Sequence, residues 1–248
     1  MKIQIAQGIQ VALMTYNILV KHIKLLAYIA LPTTVQFLLD TLAPTHQATY
    51  IYNLFHPVLI VWFGVALVRH IYHIIKYDDE SWSNSIADAA MRTAPILLWG
   101  AVASCAIGLS YLGESFLSWI GLRSSIITLP FMVLWIILTA FIIAIISSEQ
   151  QPLLSMIKEA LTLIREYAWE LAGGITVFVS FLLIPVLFVS FLQLLGVLPW
   201  GIIYHATILT VLIIFQTVVI MFCALIHRHY MRKVKQEIVI DIRTLYNP

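Results

Sequence analysis

Long runs of apolar residues alternate with short polar segments along this 248-residue chain. A helix needs about 20 apolar residues to cross a hydrocarbon core of about 30 Å, because each residue adds about 1.5 Å. Lipid offers no partners for exposed backbone groups, so the crossing segments must be helices. We therefore predict six transmembrane helices, at residues 25–42, 53–68, 94–112, 126–146, 171–195 and 205–226.

The longest water-compatible segment, residues 147–170, lies between the fourth and fifth apolar runs. Its apolar residues recur at three- and four-residue steps, which predicts an amphipathic helix over residues 152–168. Ser148 followed by Gln151 predicts a capping box before this helix. We expect the helix to lie along the membrane surface or beneath the helix bundle. The residues expected on its apolar face are Leu153, Leu154, Ile157, Leu161, Ile164 and Ala168.

Three similar segments precede the first, third and fifth runs: IQVAL at 9–13, IADAA at 86–90 and IKEAL at 157–161. This pattern is typical of a three-fold repeat in which a surface helix is followed by an outward and a returning span. Chance explains the same coincidence in a chain rich in Ile and Ala, so both interpretations stay open. For residues 1–20 two interpretations also stay open: a helix on the membrane surface, or a helix that packs elsewhere.

The composition agrees with a membrane protein. Hydrophobic residues make up 61% of the chain and charged residues 10%, whereas a soluble domain has about 25% charged residues. The net charge of +2 is too small to indicate a nucleic-acid partner. The fold class we expect is all-α, with one integral membrane domain over residues 1–248.

The positions of Lys and Arg predict the orientation in the membrane. Thirteen of the fourteen lie in segments that the six spans place on one side, and Arg123 alone lies on the other. Basic residues are concentrated on the cytoplasmic side of membrane proteins. We therefore expect both termini to be cytoplasmic, in a cell inner membrane of the bacterial type.

Histidines are the main candidates for chemistry. His70 and His73 lie one helical turn apart at the end of the second span, and His227 and His229 lie at the end of the sixth. Imidazoles at this spacing can share a metal ion. Histidines at span ends are more often ordinary interfacial residues, and no Cys accompanies these pairs. We keep the four as candidate polar clusters and predict no metal, cofactor or catalytic residue.

The middle of every predicted span lacks Asp, Glu, Lys and Arg. Charged residues there mark proton relays and ion paths, so their absence argues against an ion-driven pump. Two milder features remain. Pro185 should bend the fifth span and free a backbone carbonyl, and Gln216 brings an amide into the sixth. A pocket for a lipid or a neutral solute beside Pro185 and Gln216 is the resulting hypothesis.

The segment SEQQPLLSMIKEALTLIREYAWELAGGI, residues 148–175, lies between a long span and the final pair of spans. It resembles the membrane domain of the glycerophosphoryl diester phosphodiesterase family and of related multi-pass proteins, in which a short helix containing EAL and a later Trp follows a span. The resemblance covers residues 120–232. In such enzymes catalysis belongs to a separate soluble barrel, which we expect to be absent here. The resemblance therefore implies a stand-alone membrane module and transfers no catalytic residue.

These observations predict a non-catalytic multi-pass protein that organises lipid or a partner protein at the cytoplasmic membrane surface. Membrane lipids are the expected partners, together with a protein that docks on the amphipathic helices. The alternative is a permease or lipid transporter for a neutral or amphipathic substrate, which Pro185, Gln216 and the possible repeat favour.

Overall fold

The structure is a computed structural model that describes residues 2–42, 47–77, 81–119, 125–149, 151–194 and 201–246. Within these ranges side chains are described except at 48, 50, 107–119, 125–132, 182, 202 and 233–246. All regular structure in the described part is helical. The helices are α1 Lys2–Lys21, α2 Leu26–Leu42, α3 Gln47–Tyr77, α4 Trp82–Ala90, α5 Thr93–Trp119, α6 Ser125–Ser148, α7 Leu153–Glu166, α8 Ala168–Leu194 and α9 Ile202–Tyr246, with a 3₁₀ turn at Ile23–Leu25 between α1 and α2.

The described part of the chain is helical, with several helices long and apolar enough to cross a bilayer, which indicates a membrane protein. Each predicted run lies, apart from at most one residue at an end, within one long helix: α2, α3, α5, α6, α8 and α9. The helices α3, α5 and α9 continue seven to twenty residues past the ends of their runs. The helix α1 meets the same criterion of length and composition. The short α4 meets the first part of α5 at an angle of 76°. Arg123 and residues 196–200 lie outside the described residues.

The C-terminal part of α8, from Phe181 onward, exposes large apolar side chains on most of its surface. Phe181 is 54% exposed, Ile184 65% and Phe188 61%. A contiguous exposed apolar surface of this kind would make a water-soluble protein aggregate, whereas in lipid it costs nothing. This surface therefore supports a location of α8 at the lipid-facing periphery of the bundle.

The centre of the bundle consists of α3, α6 and α9, each of which contacts the other two. Each has one continuous buried stretch, at 64–68, 140–147 and 217–227. Gly64 permits the close approach of α3 and α6, because a methyl group added there would lie 2.8 Å from Ile143 Cδ1. Small residues at such crossings let membrane helices pack by dispersion. The helices α2, α5 and α8 lie around this central group.

The helix α1 packs along α8 through glycines. A methyl group added at Gly8 would lie 2.0 Å from the carbonyl oxygen of Glu170, and one added at Gly173 would lie 2.5 Å from the carbonyl oxygen of Ile5. Further along, the Tyr16 ring lies 5.6 Å from the ring of Phe178. The N-terminal helix is therefore an integral part of the bundle.

The predicted amphipathic helix is present as α7, but its apolar face is rotated from the expected one. Met156, Ala160 and Leu163 are buried, whereas Leu154 is 80% exposed and Leu161 50%. The predicted capping box is wrong, because Ser148 is the last residue of α6 and its hydroxyl donates to the Ile145 carbonyl at 3.0 Å. Pro152 is the N-cap residue, without a side-chain capping bond.

Candidate functional site

Basic residues from three elements gather at one end of the central helices, which we call the basic end. Here α6 ends, and its last carbonyl groups have no partner within the helix. Arg69 of α3 donates to the Ser147 carbonyl at 3.2 Å, and Arg92 donates to the Ile146 carbonyl. Positive charge at a helix C-terminus also stabilises the helix dipole. Arg69 and Arg92, two of the basic residues from which the orientation is predicted, thus cap the C-terminus of α6.

Arg69 also joins α3 to the short helix α4 through Asp88. Its Nε donates to Asp88 Oδ2 at 2.7 Å, and Nη2 donates to the same oxygen. His73 Nε2 lies 3.1 Å from that oxygen. Burial alone would raise the pKa of Asp88, but the hydrogen bonds from His73 and Arg69 together hold it below its ordinary value. The carboxylate is therefore charged at neutral pH and fastens α4 to α3.

A second carboxylate fastens α7 to the end of α9. Glu159 Oε1 lies 3.3 Å from Nε2 of His227, whose side chain is 1% exposed. The hydrogen bond from His227 is the largest of the effects that lower the pKa of Glu159. Gln151 donates to the other oxygen of Glu159 at 3.1 Å. The short helices α4 and α7 are thus each held at the basic end by a carboxylate.

The four candidate histidines have separate surroundings. Nδ1 of His70 lies 2.8 Å from the Tyr28 hydroxyl, and the His70 ring packs edge-on against Trp82. His73 and His227 face the two carboxylates described above, and His229 is exposed. The described residues contain no group of three or more His, Cys, Asp or Glu that could hold a metal ion. The two histidines of each predicted pair therefore have different surroundings and do not form a shared site.

Two cavities at the basic end share Arg228 in their walls. One has a volume of about 430 Å³ and lies among α3, α4, α6 and α9. The other has a volume of about 360 Å³ and lies among α1, α3, α8 and α9. The Arg228 guanidinium lies 5.7 Å from the centre of the Tyr72 ring. No carboxylate of the described residues forms an ion pair with it.

The walls of the larger cavity carry more cationic than anionic side chains. Arg69, Lys76 and Arg228 line it together with His73 and His227, against the carboxylates Asp88 and Glu149. Because Asp88 is paired with Arg69, Lys76 and Arg228 remain against the single carboxylate of Glu149, and the net charge is positive. Such a surface favours an anionic group such as a phosphate.

A third cavity, of about 160 Å³, lies within the apolar part of the bundle. Gln216 lines it together with His56 and Thr139. The Gln216 carbonyl accepts from Thr33 at 3.1 Å, whereas His56 Nε2 and Thr139 Oγ1 have no hydrogen-bond partner among the described residues. Pro185 lies elsewhere, inside a continuous α8 with its side chain exposed. Gln216 therefore lines this cavity, and Pro185 does not.

Comparisons of the chain with protein-family models, with curated proteins and with solved structures find no match. Sequence reasoning did not single out Arg228, Asp88 or Glu170 as site residues. A usable signal for Glu170 was its position three residues after Tyr167, where a carboxylate enters an apolar run. Nothing in the sequence distinguishes Arg228 from its neighbours, because it is one of several basic residues in HRHYMRK.

Proposed function

We propose that this protein is a non-catalytic multi-pass membrane protein that organises phospholipid at the cytoplasmic surface of a cell membrane. In this proposal α2, α3, α5, α6, α8 and α9 are six spans, and the basic end with both termini is cytoplasmic, in a bacterial inner membrane. Thirteen of fourteen Lys and Arg on one side support this orientation. Cysteines introduced at Lys2 and Arg232 should both resist an impermeant thiol reagent in intact cells; labelling of either would contradict the topology.

The proposal includes the three-fold repeat. Each of α1, α4 and α7 precedes a pair of long helices, and the second helix of each pair belongs to the central group of α3, α6 and α9. The proposal also keeps the resemblance to the membrane domain of the glycerophosphoryl diester phosphodiesterase family. An experimental structure in which the three units do not superpose would remove the repeat.

The observation that carries the lipid function is the position of Arg228. It lies between two cavities, without a carboxylate partner among the described residues. The proposed topology puts this position where the span ends meet the headgroup layer. A guanidinium pairs with a phosphate through two parallel hydrogen bonds. The cavities have apolar as well as polar walls, which suits the junction between headgroup and acyl chains.

We expect Arg228→Gln to lose at least about tenfold of the phospholipid that co-purifies with the protein, because a charged hydrogen bond contributes about 1.5–3 kcal/mol. The measurement is quantitative phosphate analysis and native mass spectrometry after delipidating washes. The matched control is Arg165→Gln, on the exposed side of α7, which should retain wild-type lipid. Equal lipid in R228Q and wild type would contradict the proposal, as would a stoichiometric protein partner in place of lipid.

A second candidate function is a permease for a small neutral or amphipathic molecule. The cavity beside Gln216 favours it, because its mainly apolar walls also carry the polar side chains of Gln216, His56 and Thr139. Uptake of such a solute by proteoliposomes should fall about tenfold in Gln216→Leu, whose control is Thr210→Ala at an exposed position of α9. Proteoliposomes as impermeable as protein-free vesicles would exclude this function.

A further inference from the structure

Glu170 places a carboxylate in the smaller cavity of the basic end. The cavity of about 360 Å³ is lined by Glu170 and, on α9, by Arg228 and Arg232. One carboxylate oxygen, Oε2, is buried and has no hydrogen-bond partner among the described residues. No ion pair joins Glu170 to either arginine there. Glu170 as a whole is only partly buried, and a carboxylate in a cavity wall without an ion pair favours a ligand that brings a positively charged donor.

The wall of this cavity that α9 forms favours a negatively charged group. Arg228 and Arg232 both lie there without a carboxylate partner among the described residues. Gln7 and Gln10 of α1 add amide groups that donate and accept. The cavity therefore combines separate sites for an anion and a cation, which a simple anion such as inorganic phosphate would not use.

The remaining wall is apolar. Val11 and Met14 of α1, Ile75 of α3 and Leu225 of α9 line the same cavity. A ligand that fills it presents a zwitterionic end beside a hydrocarbon part. This is the chemistry of a phospholipid whose headgroup carries a phosphate and an ammonium.

We infer that this cavity binds the headgroup of a phosphoethanolamine lipid, with the phosphate at Arg228 and the ammonium at Glu170. The inference rests on the proposed function, since it names the lipid class that the same end of the protein holds. A primary ammonium donates hydrogen bonds to a carboxylate, whereas the trimethylammonium of a choline lipid cannot. A glycerol headgroup carries the phosphate but leaves Glu170 without a cation.

The experiment exchanges the purified protein into mixed micelles with equal amounts of ethanolamine, choline and glycerol phospholipids of matched chains. Native mass spectrometry then gives the composition of the retained lipid. Wild type should enrich the ethanolamine lipid about tenfold over each of the others. Glu170→Gln should abolish that preference while retaining phospholipid, and Glu166→Gln, at an exposed position of α7, should leave it unchanged.

Several outcomes overturn the inference. Equal retention of the three lipids by wild type would do so, as would an ethanolamine preference that survives in E170Q. Competition by soluble phosphoethanolamine as strong as by the lipid would show a site for a free metabolite instead. Complete absence of retained phospholipid in wild type would refute the lipid function as a whole, so the two failures can be told apart. Unchanged thermal unfolding of E170Q establishes that the variant is folded.

Discussion

Replacing Gly8 by Ala should destabilise the protein by about 1–3 kcal/mol, although Ala is the better helix former. Helix propensity favours Ala over Gly by about 1 kcal/mol. The added methyl group, however, would lie 2.0 Å from the carbonyl oxygen of Glu170, which is backbone and cannot rotate away. The helix α1 must therefore move off α8, and overpacking of this kind costs about 1–3 kcal/mol even where side chains can yield. The expected fall in melting temperature is roughly 5 °C.

A double-mutant cycle with Gly173 makes this prediction specific to the contact between α1 and α8. A methyl group at Gly173 would meet the Ile5 carbonyl oxygen at 2.5 Å, at the same crossing. Once one substitution has separated the helices, the second should cost little, so G8A and G173A should be strongly non-additive. Ala6→Leu, at an exposed position of α1, is the control. If α1 did not pack on α8, G8A would instead stabilise the protein by its helix propensity.

The elements of the fold could be predicted well from the sequence, because apolar runs of about 20 residues have few alternatives to a helix in lipid. All six runs lie within long helices apart from at most one residue at an end, although α3, α5 and α9 extend well past their runs. The helix at 152–168 is present as α7, because charged residues at helical spacing exclude a span. The number of crossings and the orientation remain predictions, which the labelling experiment tests.

The arrangement of the helices could not be predicted in the same way. Residues 141–146 are fully buried in the centre of the bundle, whereas residues 183–188 of α8 are mostly exposed. Both segments consist of apolar residues. A helix surface that faces lipid and one that packs on other helices favour the same residue types, because both surroundings are hydrocarbon. Periodicity therefore cannot distinguish a central helix from a peripheral one. Hence the central group of α3, α6 and α9 emerges only in the structure.

The contacts within the candidate site could not be predicted either, because the residues that contact each other are distant in the chain. His70 and His73 lie three residues apart, yet His70 bonds to Tyr28 of α2 and His73 lies beside Asp88 of α4. Their spacing within one helix predicted a shared site. In the structure each histidine contacts a partner from a different helix, so the two do not act together. Gln216 was identified because an amide is rare in an apolar span. Its neighbours in the cavity, His56 and Thr139, depend on packing that the sequence does not contain.

The pairing of Arg69 with Asp88 should be the most important polar interaction at the basic end. We expect Arg69→Met to lower the free energy of local unfolding of α4 by about 1–3 kcal/mol, because it leaves Asp88 short of a partner and the Ser147 carbonyl without its donor. The value stays below the 3–5 kcal/mol of a fully buried pair, since the two side chains are about a quarter exposed, 26% and 24%. Amide hydrogen exchange of residues 82–90 measures the change directly.

The pH dependence of that exchange distinguishes a charge effect from simple loss of packing. The pKa of Asp88 is depressed in the folded protein, so its contribution is fully present above the unfolded value of about 3.9 and is lost as pH falls through the folded value. Protection of α4 should therefore be constant from pH 8 to 5 in wild type and fall in stronger acid. In R69M the loss should begin at higher pH, because one of the groups that lowers the pKa is gone.

Two further variants decide between the explanations. Lys76→Met, at an exposed position of the same helix, should leave both the protection and its pH profile unchanged. The double variant R69M/D88L should recover part of the stability lost in R69M, because it removes the carboxylate that has been left short of a partner. It should also lose the pH dependence. A double variant as unstable as the sum of the two single ones, with an unchanged acid profile, would mean that Arg69 acts on α6 through Ser147 and that Asp88 does not hold α4.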